Sequence, residues 1–390
     1  MNISNAIVVG GGIGGLAIAA ALARRGVAVT VLEQAKALRE VGAGLQVSPN
    51  GLAVLRALGL EAGLRTKEAV QGKAVVLRDY AIGAQVARLP LDRLPKTQRY
   101  FFVHRADLVD LLAGAAKRAN VTFEMGAPVA SIRPGKTPQV QMSDGSTRRA
   151  ELVVAADGIH SVARPVLNGP DKAVFSGQVA WRALVPNTVN HPDEAHVHMG
   201  PGRHLVSYPL RGGRMINLVG IEERESWAAE GWNHADDPAA LRTAFASFGG
   251  TAAQMMQAVT DVTLWGLHLH PVAATWQREG VALLGDAAHP TLPFLAQGAN
   301  MALEDAWVLA DAATNGQGDW LAGYQQRREA RVTRVIGAAE KNAQRYHLRP
   351  GPMRSMAHLG LRLGSRLAPS QMLGAFNWLY GHDVTRPQKA

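Results

Sequence analysis

The first part of the chain alternates between short apolar runs and a longer alanine-rich stretch. Ala6–Val9 is a short apolar run rich in β-branched residues, which is typical of a buried parallel strand. Gly14–Arg25 is rich in alanine and leucine and stops at Gly26, which predicts a helix. Val27–Leu32 is a second apolar run and leads into Glu33. The pattern therefore predicts a compact β-α-β unit.

The same two patterns return further along the chain. Helices are predicted at Asn50–Leu60, Ala106–Ala119, Ala299–Ala313 and Trp320–Gln344. Buried strands are predicted at Leu152–Ala156 and Val281–Leu284. A hairpin is expected within Val140–Arg149, because Asp144-Gly145 is a favoured hairpin turn.

Residues 173–270 follow a different pattern, in which apolar and polar positions alternate between Gly/Pro/Arg turns. Antiparallel strands are therefore predicted at Val179–Val185, His196–His198, Leu205–Leu210 and Met215–Ile221. Pro238–Val259 is predicted as one helix inserted among them. With residues 71–100, these strands are expected to form a second domain over the first.

A glycine-rich loop joins the first predicted strand to the first predicted helix. In the pattern Gly10-x-Gly12-x-x-Gly15, Gly10 permits a tight turn and Gly12 lets a pyrophosphate approach the backbone. Gly15 lets the helix pack on the strand, and the phosphates then face the helix N-terminus. Glu33, at the end of the second strand, is suited to accept hydrogen bonds from ribose hydroxyls. The predicted dinucleotide contacts are Gly10, Gly12, Gly14, Gly15, Glu33 and Gln34.

A second segment, near the C-terminus, extends this prediction to FAD. Asp286 follows a predicted buried strand within Gly285–Pro290, where its carboxylate can accept hydrogen bonds from the ribityl hydroxyls of a flavin. The alternative is that Asp286 only caps the following turn. Gln297–Asn300 opens the next helix, whose free N–H groups can face the electron-rich edge of the isoalloxazine ring. Nicotinamide binding does not need this segment, so FAD is the predicted cofactor, with further contacts from Gly298, Ala299 and Asn300.

Composition narrows the classes of function. The 390 residues contain no cysteine, which excludes disulfides, thiolate catalysis and cysteine–zinc sites, and no metal site is predicted. No apolar run reaches the ~18 residues of a membrane span, and the N-terminus lacks the pattern of a signal peptide. A cytoplasmic enzyme is therefore expected.

The net charge of +10 favours anionic ligands. Because the charges are scattered and there is no basic arm, a positive field that attracts an anionic cofactor and substrate suits the chain better than nucleic-acid binding. The densest basic stretch lies on a predicted helix and is expected to be a solvated face, formed by Arg327, Arg328, Arg331 and Arg334.

Three motifs resemble those of the single-component, FAD-dependent aromatic hydroxylases, the class of para-hydroxybenzoate hydroxylase. In the order of that family they are Gly10–Gly15, Val153–Arg164 and Gly285–Pro290, and the resemblance covers essentially the whole chain. It implies that Asp157, in the middle motif, takes part in FAD and nicotinamide contacts. It also implies that Arg105 contacts the flavin cofactor.

The chain more closely resembles the salicylate, 3-hydroxybenzoate and 6-hydroxynicotinate hydroxylases within that class. The segments that carry this resemblance are Val41–Asn50, Pro293–Asn300, Tyr346-His347-Leu348 and Trp378–Asp383. One position departs from many relatives, which have Gly-Gln-Gly near the flavin. Here Ala296 replaces the first glycine, and its methyl group is expected to narrow the pocket.

The predicted architecture is an α/β fold. It has a Rossmann-like FAD-binding domain, an inserted antiparallel-sheet substrate domain and C-terminal helices. The FAD-binding domain is expected to comprise residues 1–70, 101–172 and 271–345, and the substrate domain residues 71–100 and 173–270. Within the C-terminal helical segment, 346–390, residues 351–381 are expected to pack against the body. A dimer contact or a membrane-surface patch is the alternative, and either a monomer or a homodimer is expected.

The resemblance implies that NAD(P)H reduces the flavin, oxygen adds at its C4a carbon, and the hydroperoxide hydroxylates an aromatic ring. A base that removes the substrate's hydroxyl proton favours this attack. His204 is the predicted base, because it opens a strand expected to face the flavin and because related hydroxylases have a histidine at the matching place. A histidine in a surface turn is the alternative.

Tyr208 lies four residues beyond His204 and hence on the same strand face. It is predicted to bind the substrate oxygen, with core packing as the alternative. His289 is expected to be structural in the flavin loop. The predicted pocket residues are Gln46, Pro293 and Phe294.

The predicted function is therefore hydroxylation of a small aromatic substrate, a phenolic or N-heteroaromatic acid, with O2 and either NADH or NADPH. A larger polyketide or quinolone ring is the alternative substrate. A flavin oxidase or reductase without ring hydroxylation, or a non-catalytic nucleotide-binding protein, are the alternative classes. Oxidases share the first glycine loop but generally lack the Asp157-Gly158 segment combined with Gly285-Asp286.

Overall fold

The computed structural model describes residues 3–38, 43–170, 173–227 and 234–386. Val41 and Gly42, which belong to one of the motifs that carry the resemblance, lie outside the described residues. So do residues 171–172, 228–233 and 387–390 of the predicted domains and C-terminal segment.

The strands of the described residues are β1 Asn5–Val9, β2 Ala28–Glu33, β3 Gly44–Val47, β4 Val70–Gln71, β5 Ala74–Asp79, β6 Gln85–Pro90, β7 Phe101–His104, β8 Thr122–Met125, β9 Val129–Arg133, β10 Gln139–Met142, β11 Thr147–Arg149, β12 Leu152–Ala155, β13 Val174–Pro186, β14 Glu194–Gly200, β15 Arg203–Leu210, β16 Met215–Glu223, β17 His234–Asp236, β18 Val262–Leu269, β19 Gln277–Arg278 and β20 Val281–Leu283.

The α-helices are α1 Ile13–Ala23, α2 Pro49–Ala57, α3 Glu61–Thr66, α4 Arg105–Arg118, α5 Arg164–Asn168, α6 Pro238–Ala244, α7 Gly250–Gln257, α8 Gly298–Asn315, α9 Trp320–Tyr346, α10 Pro352–Leu367, α11 Pro369–Gly374 and α12 Asn377–Tyr380. Short 3-10 helices lie at Leu91–Arg93, Gly158–His160, Gly285–Ala287 and Pro293–Leu295.

A six-stranded sheet forms the base of the fold, in the order β19-β20-β12-β1-β2-β8. All its neighbouring strands are parallel except the edge pair β19–β20. Val8 of β1 pairs with Val31 of β2 on one side and Val154 of β12 on the other. These strands are apolar along their length because both faces of such a sheet are buried. The predicted β-α-β unit and Rossmann-like sheet are confirmed.

Helix α1 is enclosed by protein on nearly every side. Its residues from Gly15 to Leu22 are all buried, and α4 and α8 pack against it. A helix that is apolar all round suits this central position. A side chain at Gly14 would come within 2.6 Å of Leu284, so the glycine lets the helix approach the end of β20. The loop and the helix are thus held firmly at the carboxyl ends of the parallel strands.

An eight-stranded sheet covers the first, in the order β17-β18-β13-β16-β15-β14-β5-β6. Its pairs are antiparallel except β14–β5. On one face, Trp181, Leu205 and Leu218 pack with apolar residues of α6 and α7. The alternate residues of the same strands face the other way, toward the first sheet. The predicted alternation over 173–270 is therefore confirmed as a sheet with two distinct faces.

The predicted single helix at Pro238–Val259 is wrong. The segment forms α6 and α7, which are separated around Gly249 and Gly250. Gly250 has a φ of +60°, and a side chain at Gly249 would lie 2.1 Å from the carbonyl oxygen of Ala81. Both positions need glycine, and their backbone geometry breaks a pattern that otherwise looks continuous.

The predicted solvated arginine face on α9 is also wrong in part. Arg328 is fully buried and forms ion pairs with Glu304 at 2.6 Å and Asp305 at 2.7 Å. Arg331 also binds Glu304, at 2.8 Å. Two adjacent carboxylates on α8 supply the charge that a buried guanidinium needs, and a charge is buried only when it is paired. These arginines therefore join α9 to α8 rather than face water.

The C-terminal helices divide into a packed part and an exposed part. Leu379 and Tyr380 of α12 are buried in the main core, as is Leu373 of α11. Helix α10 packs against β6, but one side of it faces solvent through Met353, Met356, Leu359, Leu363 and Leu367. The predicted packing of this segment against the body is thus confirmed for α11 and α12. In α10, only one side of the helix packs against the body. No helix of the described ranges is long and apolar enough to cross a membrane.

Candidate active site

A cavity of about 940 Å³ lies between the two sheets. It is reached by the carboxyl ends of β1, β12 and β20, where ligands bind in open parallel sheets. The predicted site residues that line it are Gly10, Gly12, Gly14, Glu33, Gln34, Gln46, Arg105, Asp157, His204, Tyr208, Asp286, Pro293, Phe294, Gly298 and Ala299. Residues far apart in the sequence are thereby brought to one site.

The glycine loop presents open backbone to this cavity. Gly10 has a φ of +101°, and a side chain there would lie 2.4 Å from the carbonyl oxygen of Ala156. A side chain at Gly15 would lie 1.9 Å from the carbonyl oxygen of Gly10, so Gly15 serves packing and does not line the cavity. At Gly12 no atom lies within 4 Å of the position a Cβ would take. The N–H groups at the start of α1 therefore face space that suits a pyrophosphate.

Glu33 closes the loop from the side. Its carboxylate accepts hydrogen bonds from the backbone N–H of Gly11 at 2.6 Å and of Ala35 at 2.8 Å. Gln34 is exposed beside it at the edge of the cavity. Glu33 thus holds the loop in shape, and its contact with a ribose stays a prediction.

The carboxylates of Asp286 and Asp157 line the cavity. Asp286 is exposed to the cavity, yet the surrounding protein raises the pKa of its carboxyl. Asp157 accepts a hydrogen bond from the N–H of Val162 through Oδ2, at 2.8 Å. Its Oδ1 is buried and has no hydrogen-bond partner among the described residues. Burial raises the pKa of Asp157 as well. A buried carboxylate oxygen without a hydrogen-bond partner needs a donor, which a hydroxyl of a flavin nucleotide supplies.

Helix α8 begins at the same cavity. Gly298 and Ala299 line it and lie in the first turn, whose N–H groups have no partner within the helix. Ala296 just before it has a φ of +52°, a left-handed conformation that costs an alanine roughly 1–2 kcal/mol. The open cradle at Gly12, the unpaired Asp157 oxygen and this helix N-terminus together fit FAD.

Asn300 lies behind this wall rather than in it. It is fully buried and does not line the cavity. Its side chain accepts from the N–H of Ser48 at 3.1 Å and donates to the carbonyl of Gln46 at 2.9 Å. Asn300 therefore joins α8 to β3, and any effect it has on the cofactor passes through these contacts.

His204 lines the cavity and is otherwise buried, at 1% exposure. The alternative of a surface histidine is therefore excluded. Its Nδ1 lies 2.6 Å from Nε2 of His347, and its ring lies 5.7 Å from the ring of Phe294. Burial, and secondarily His347, lowers the pKa of His204 well below its usual value. The imidazole is thus neutral, which is the form that accepts a proton.

Tyr208 also lines the cavity from β15. Its ring packs at 5.2 Å from Phe102, and burial raises the pKa of its hydroxyl. Gln46, on β3, accepts a hydrogen bond from the hydroxyl of Tyr100 at 2.8 Å. Tyr208 therefore both packs against its neighbours and lines the cavity. Its phenol stays protonated, so its hydroxyl can donate a hydrogen bond.

Several residues of the cavity were not predicted. Neighbouring strands place Arg182, Val219, Val206, Val197 and Leu77 in one row across the sheet, and all of them line the cavity. Alternation predicts that such residues share a face but does not show which strands are neighbours. The other unpredicted lining residues include Tyr100, Tyr346 and Tyr380.

His289 supports the cofactor side of the cavity without lining it. Its Nε2 donates to Asp305 at 2.6 Å, and the same carboxylate accepts from the N–H of Gly285 at 3.1 Å. Arg328 binds the other oxygen of Asp305. This buried network fixes the turn that carries Asp286, in agreement with the structural role expected for His289.

Comparison with known proteins places this geometry in a family. The FAD binding domain model matches residues 4–339. The chain belongs to this FAD-binding family. It is similar to 3-amino-4-hydroxybenzoate 2-monooxygenase from Streptomyces cremeus, with 36% identity over 97% of this chain and 95% of that protein. It is also similar to 3-hydroxybenzoate 6-hydroxylase from Polaromonas naphthalenivorans, with 32% identity over 97% of this chain and 96% of that protein.

Among solved structures, the chain is similar to Klebsiella pneumoniae HpxO complexed with FAD and uric acid. The TM-score is 0.82 at 27% identity, over 96% of this chain and 97% of that one. The hydroxylase is thus an FAD-dependent monooxygenase of the single-component aromatic class, with NAD(P)H as co-substrate. The FAD prediction is confirmed, while the role of each predicted site residue stays a prediction.

Proposed function

We propose that the enzyme hydroxylates a small phenolic acid, with 3-amino-4-hydroxybenzoate or a close analogue as the best candidate. The observation that carries this is the position of His204 on the cavity face of the eight-stranded sheet, where its buried imidazole lines the cavity. A base of this kind suits a substrate that must lose a hydroxyl proton. The relatives that act on hydroxylated benzoates support the choice of acid.

Arg182 is the proposed partner of the substrate carboxylate. It lines the cavity on β13, with its guanidinium 4.3 Å from the ring centre of Trp265. Two strand spacings, roughly 10 Å, separate its backbone from that of β15, which carries His204 in the adjacent row. Both side chains line the cavity. A benzoate ring with a hydroxyl at one end and a carboxylate at the other suits this separation.

When bound, FAD supplies the reduction and activation of oxygen. The chain's own residues do the rest: His204 takes the hydroxyl proton, and Tyr208 donates a hydrogen bond to a substrate oxygen. The start of α8 favours negative charge at the flavin edge. The aromatic walls formed by Phe294, Tyr346 and Tyr380 line the same cavity and exclude water from the reacting atoms.

The test uses purified holoenzyme with a panel of ring substrates. NADH or NADPH consumption, oxygen uptake and product are measured together for 3-amino-4-hydroxybenzoate, 3-hydroxybenzoate, salicylate, 6-hydroxynicotinate and uric acid. The proposal is supported if a phenolic acid speeds NAD(P)H oxidation and one molecule of hydroxylated product forms for each NAD(P)H consumed. If only the N-heterocycles, 6-hydroxynicotinate or uric acid, do so, the phenolic-acid proposal is wrong.

Arg182→Met tests the carboxylate contact, since it keeps a long apolar side chain beside Trp265 and removes the guanidinium charge. We expect KM for the acid to rise, with a much smaller change for the matching neutral phenol. Equal losses for acid and phenol would show that Arg182 does not select the carboxylate. The choice between NADH and NADPH, a cytoplasmic location and a monomeric or homodimeric state also belong to this proposal. The substrate panel tests only the choice of nucleotide.

A further inference from the structure

We propose that His347 and Glu223 continue from His204 as a proton path between the cavity and solvent. The inference rests on the proposed function, in which His204 accepts the hydroxyl proton of a phenolic substrate. A base at 1% exposure stays neutral beside a bound phenolate only if it passes on the proton that it takes. The three side chains form a way out for that proton.

The path is a continuous line of short contacts. His204 Nδ1 lies 2.6 Å from His347 Nε2, and His347 Nδ1 lies 2.7 Å from Glu223 Oε1. The side chain of His347 is 2% exposed, whereas that of Glu223 is 50% exposed. Exposure thus increases from the cavity outward, and the last member of the line meets water.

Three separate elements bring these side chains together. His204 lies near the start of β15 and Glu223 ends β16, its neighbouring strand. His347 follows α9, and its carbonyl accepts a hydrogen bond from the N–H of Gly202 at 3.4 Å. The end of α9 is thereby held against the turn that begins β15. A contact over 143 residues of sequence is built into the fold at this point.

The order of donors and acceptors follows from the carboxylate at the outer end. An ionised carboxylate only accepts, so His347 must carry its proton on Nδ1. Its Nε2 is then an acceptor, and His204 must donate from Nδ1. This leaves the lone pair of His204 on Nε2, the ring nitrogen not bound to His347. Glu223 thus selects the tautomer of His204 that can act as a base.

The arginines near Glu223 leave its carboxylate available to His347. Arg203 and Arg224 both bind Glu222, at 3.3 and 2.9 Å, rather than Glu223. Burial lowers the pKa of the His347 imidazole, Glu223 raises it through its hydrogen bond and charge, and Arg203 has the smallest effect and lowers it. Tyr346 contacts the His204 ring at 5.2 Å, and burial raises the pKa of its hydroxyl to about 12. Tyr346 therefore stays neutral beside the path.

The proton balance is complete without any other reagent. The substrate O–H bond breaks as His204 Nε2 gains the proton, His204 Nδ1–H passes its proton to His347 Nε2, and His347 Nδ1–H passes its proton to Glu223 or water. When the product leaves as a neutral phenol, the same transfers run in reverse and restore each tautomer. Both imidazoles are neutral before and after.

The experiment compares His347→Gln and Glu223→Gln with a matched control, Glu222→Gln, in the FAD-loaded enzyme. The control changes the adjacent glutamate on the same strand without touching His347. With 3-amino-4-hydroxybenzoate, the hydroxylation rate of both path variants is expected to fall about 10–100-fold at neutral pH. The rate recovers in alkali, where the free phenol ionises. FAD content and the slow NAD(P)H oxidation without substrate stay as in the wild type.

A second measurement follows the proton itself. A pH indicator in weak buffer records proton release when 3-amino-4-hydroxybenzoate binds to the oxidised holoenzyme. Rapid release is expected for the wild type and Glu222→Gln, and slower release for Glu223→Gln, which changes a half-exposed side chain and should fold. Path variants that keep the wild-type pH profile and proton release, or that lose rate equally at every pH, would overturn the proposal. A wild-type enzyme that hydroxylates no phenolic acid instead overturns the proposed function, and the path with it.

Discussion

Burial decides the state of His204. Its pKa is lowered from 6.5 because the ring is enclosed and faces His347. The neutral imidazole therefore persists as the pH falls through 6.5, and activity should not be lost there by protonation of this base. A catalytic base on the surface would show the opposite behaviour.

His204→Gln keeps a polar side chain but removes the titrating base. We expect kcat for hydroxylation near neutral pH to fall by about 10²–10⁴. FAD should stay bound, since His204 is not among the predicted cofactor contacts. Product formation from about pH 5.5 to about pH 9 checks this, with bound FAD measured by absorbance. A variant with the wild-type rate throughout that range would rule out the base.

Asp286 offers a separate test at the cofactor end of the cavity. Its side chain lines the cavity and is exposed to it. Asp286→Ala removes an acceptor for the flavin hydroxyls, and a hydrogen bond to a charged group is worth about 1.5–3 kcal/mol. FAD affinity should therefore fall roughly 10–150-fold. Titration of apoprotein by flavin fluorescence measures it, with Asp286→Asn as the milder change, and an unchanged Kd would remove Asp286 from the cofactor site.

At the scale of elements, local pattern predicted most strands and helices but not their neighbours. The apolar runs and glycine loop of β1, α1 and β2 are local signals, and the structure follows them. At Gly249 a side chain would clash with the carbonyl oxygen of Ala81, which is remote in sequence. The partner of His204 lies on a segment 143 residues away. Cavity residues such as Arg182 could not be predicted for the same reason, because strand order sets them.

Strand β14 shows how one element serves two environments. Ala195, Val197 and Met199 line the cavity, so His196 and His198 point to the opposite face of the sheet. Burial is the main cause that lowers the pKa of His196 to about 2 and of His198 to about 3. Both imidazoles are neutral in the folded protein at any moderate pH.

This burial makes stability depend on pH in a defined direction. An unfolded histidine gains a proton near pH 6.5, whereas folded His198 does not until about pH 3. Its contribution is therefore complete above 6.5 and is lost as the pH falls toward 3. Near pH 5 the loss is roughly 2 kcal/mol for each such histidine.

His198→Leu should remove this share of the acid sensitivity. Between about pH 7.5 and about pH 5, the free energy of unfolding of the variant should fall about 2 kcal/mol less than that of the wild type. Urea unfolding of the holoenzyme at both pH values measures the difference. Met199→Leu, on the same strand and without a titrating group, should follow the wild type. Parallel losses in His198→Leu and wild type would show that protonation of His198 does not govern acid stability.

At the scale of the whole molecule, the cavity is an interface between two sheets. The parallel sheet contributes the glycine loop and Asp157, and the eight-stranded sheet contributes His204 and Arg182. Helix α8 reaches the same space from a third direction. A long cofactor in this position contacts both sheets and the start of α8 at once. Its binding energy is then added to the stability of the entire fold.

Removal of FAD should therefore destabilise the protein as a unit. With free FAD at about 1,000 times its Kd, binding adds about 4 kcal/mol to the free energy of unfolding. For a chain of this length that corresponds to a fall in Tm on the order of 5 °C in the apoprotein. Hydrogen exchange should rise at Gly10–Gly15, Gly285–Ala287 and the first turn of α8, which are the segments that line the cavity from different parts of the chain. Readdition of FAD should restore both. If Tm is unchanged, or exchange rises in the glycine loop alone, then a single segment holds the cofactor, and the convergence of remote segments on one nucleotide is not what stabilises this fold.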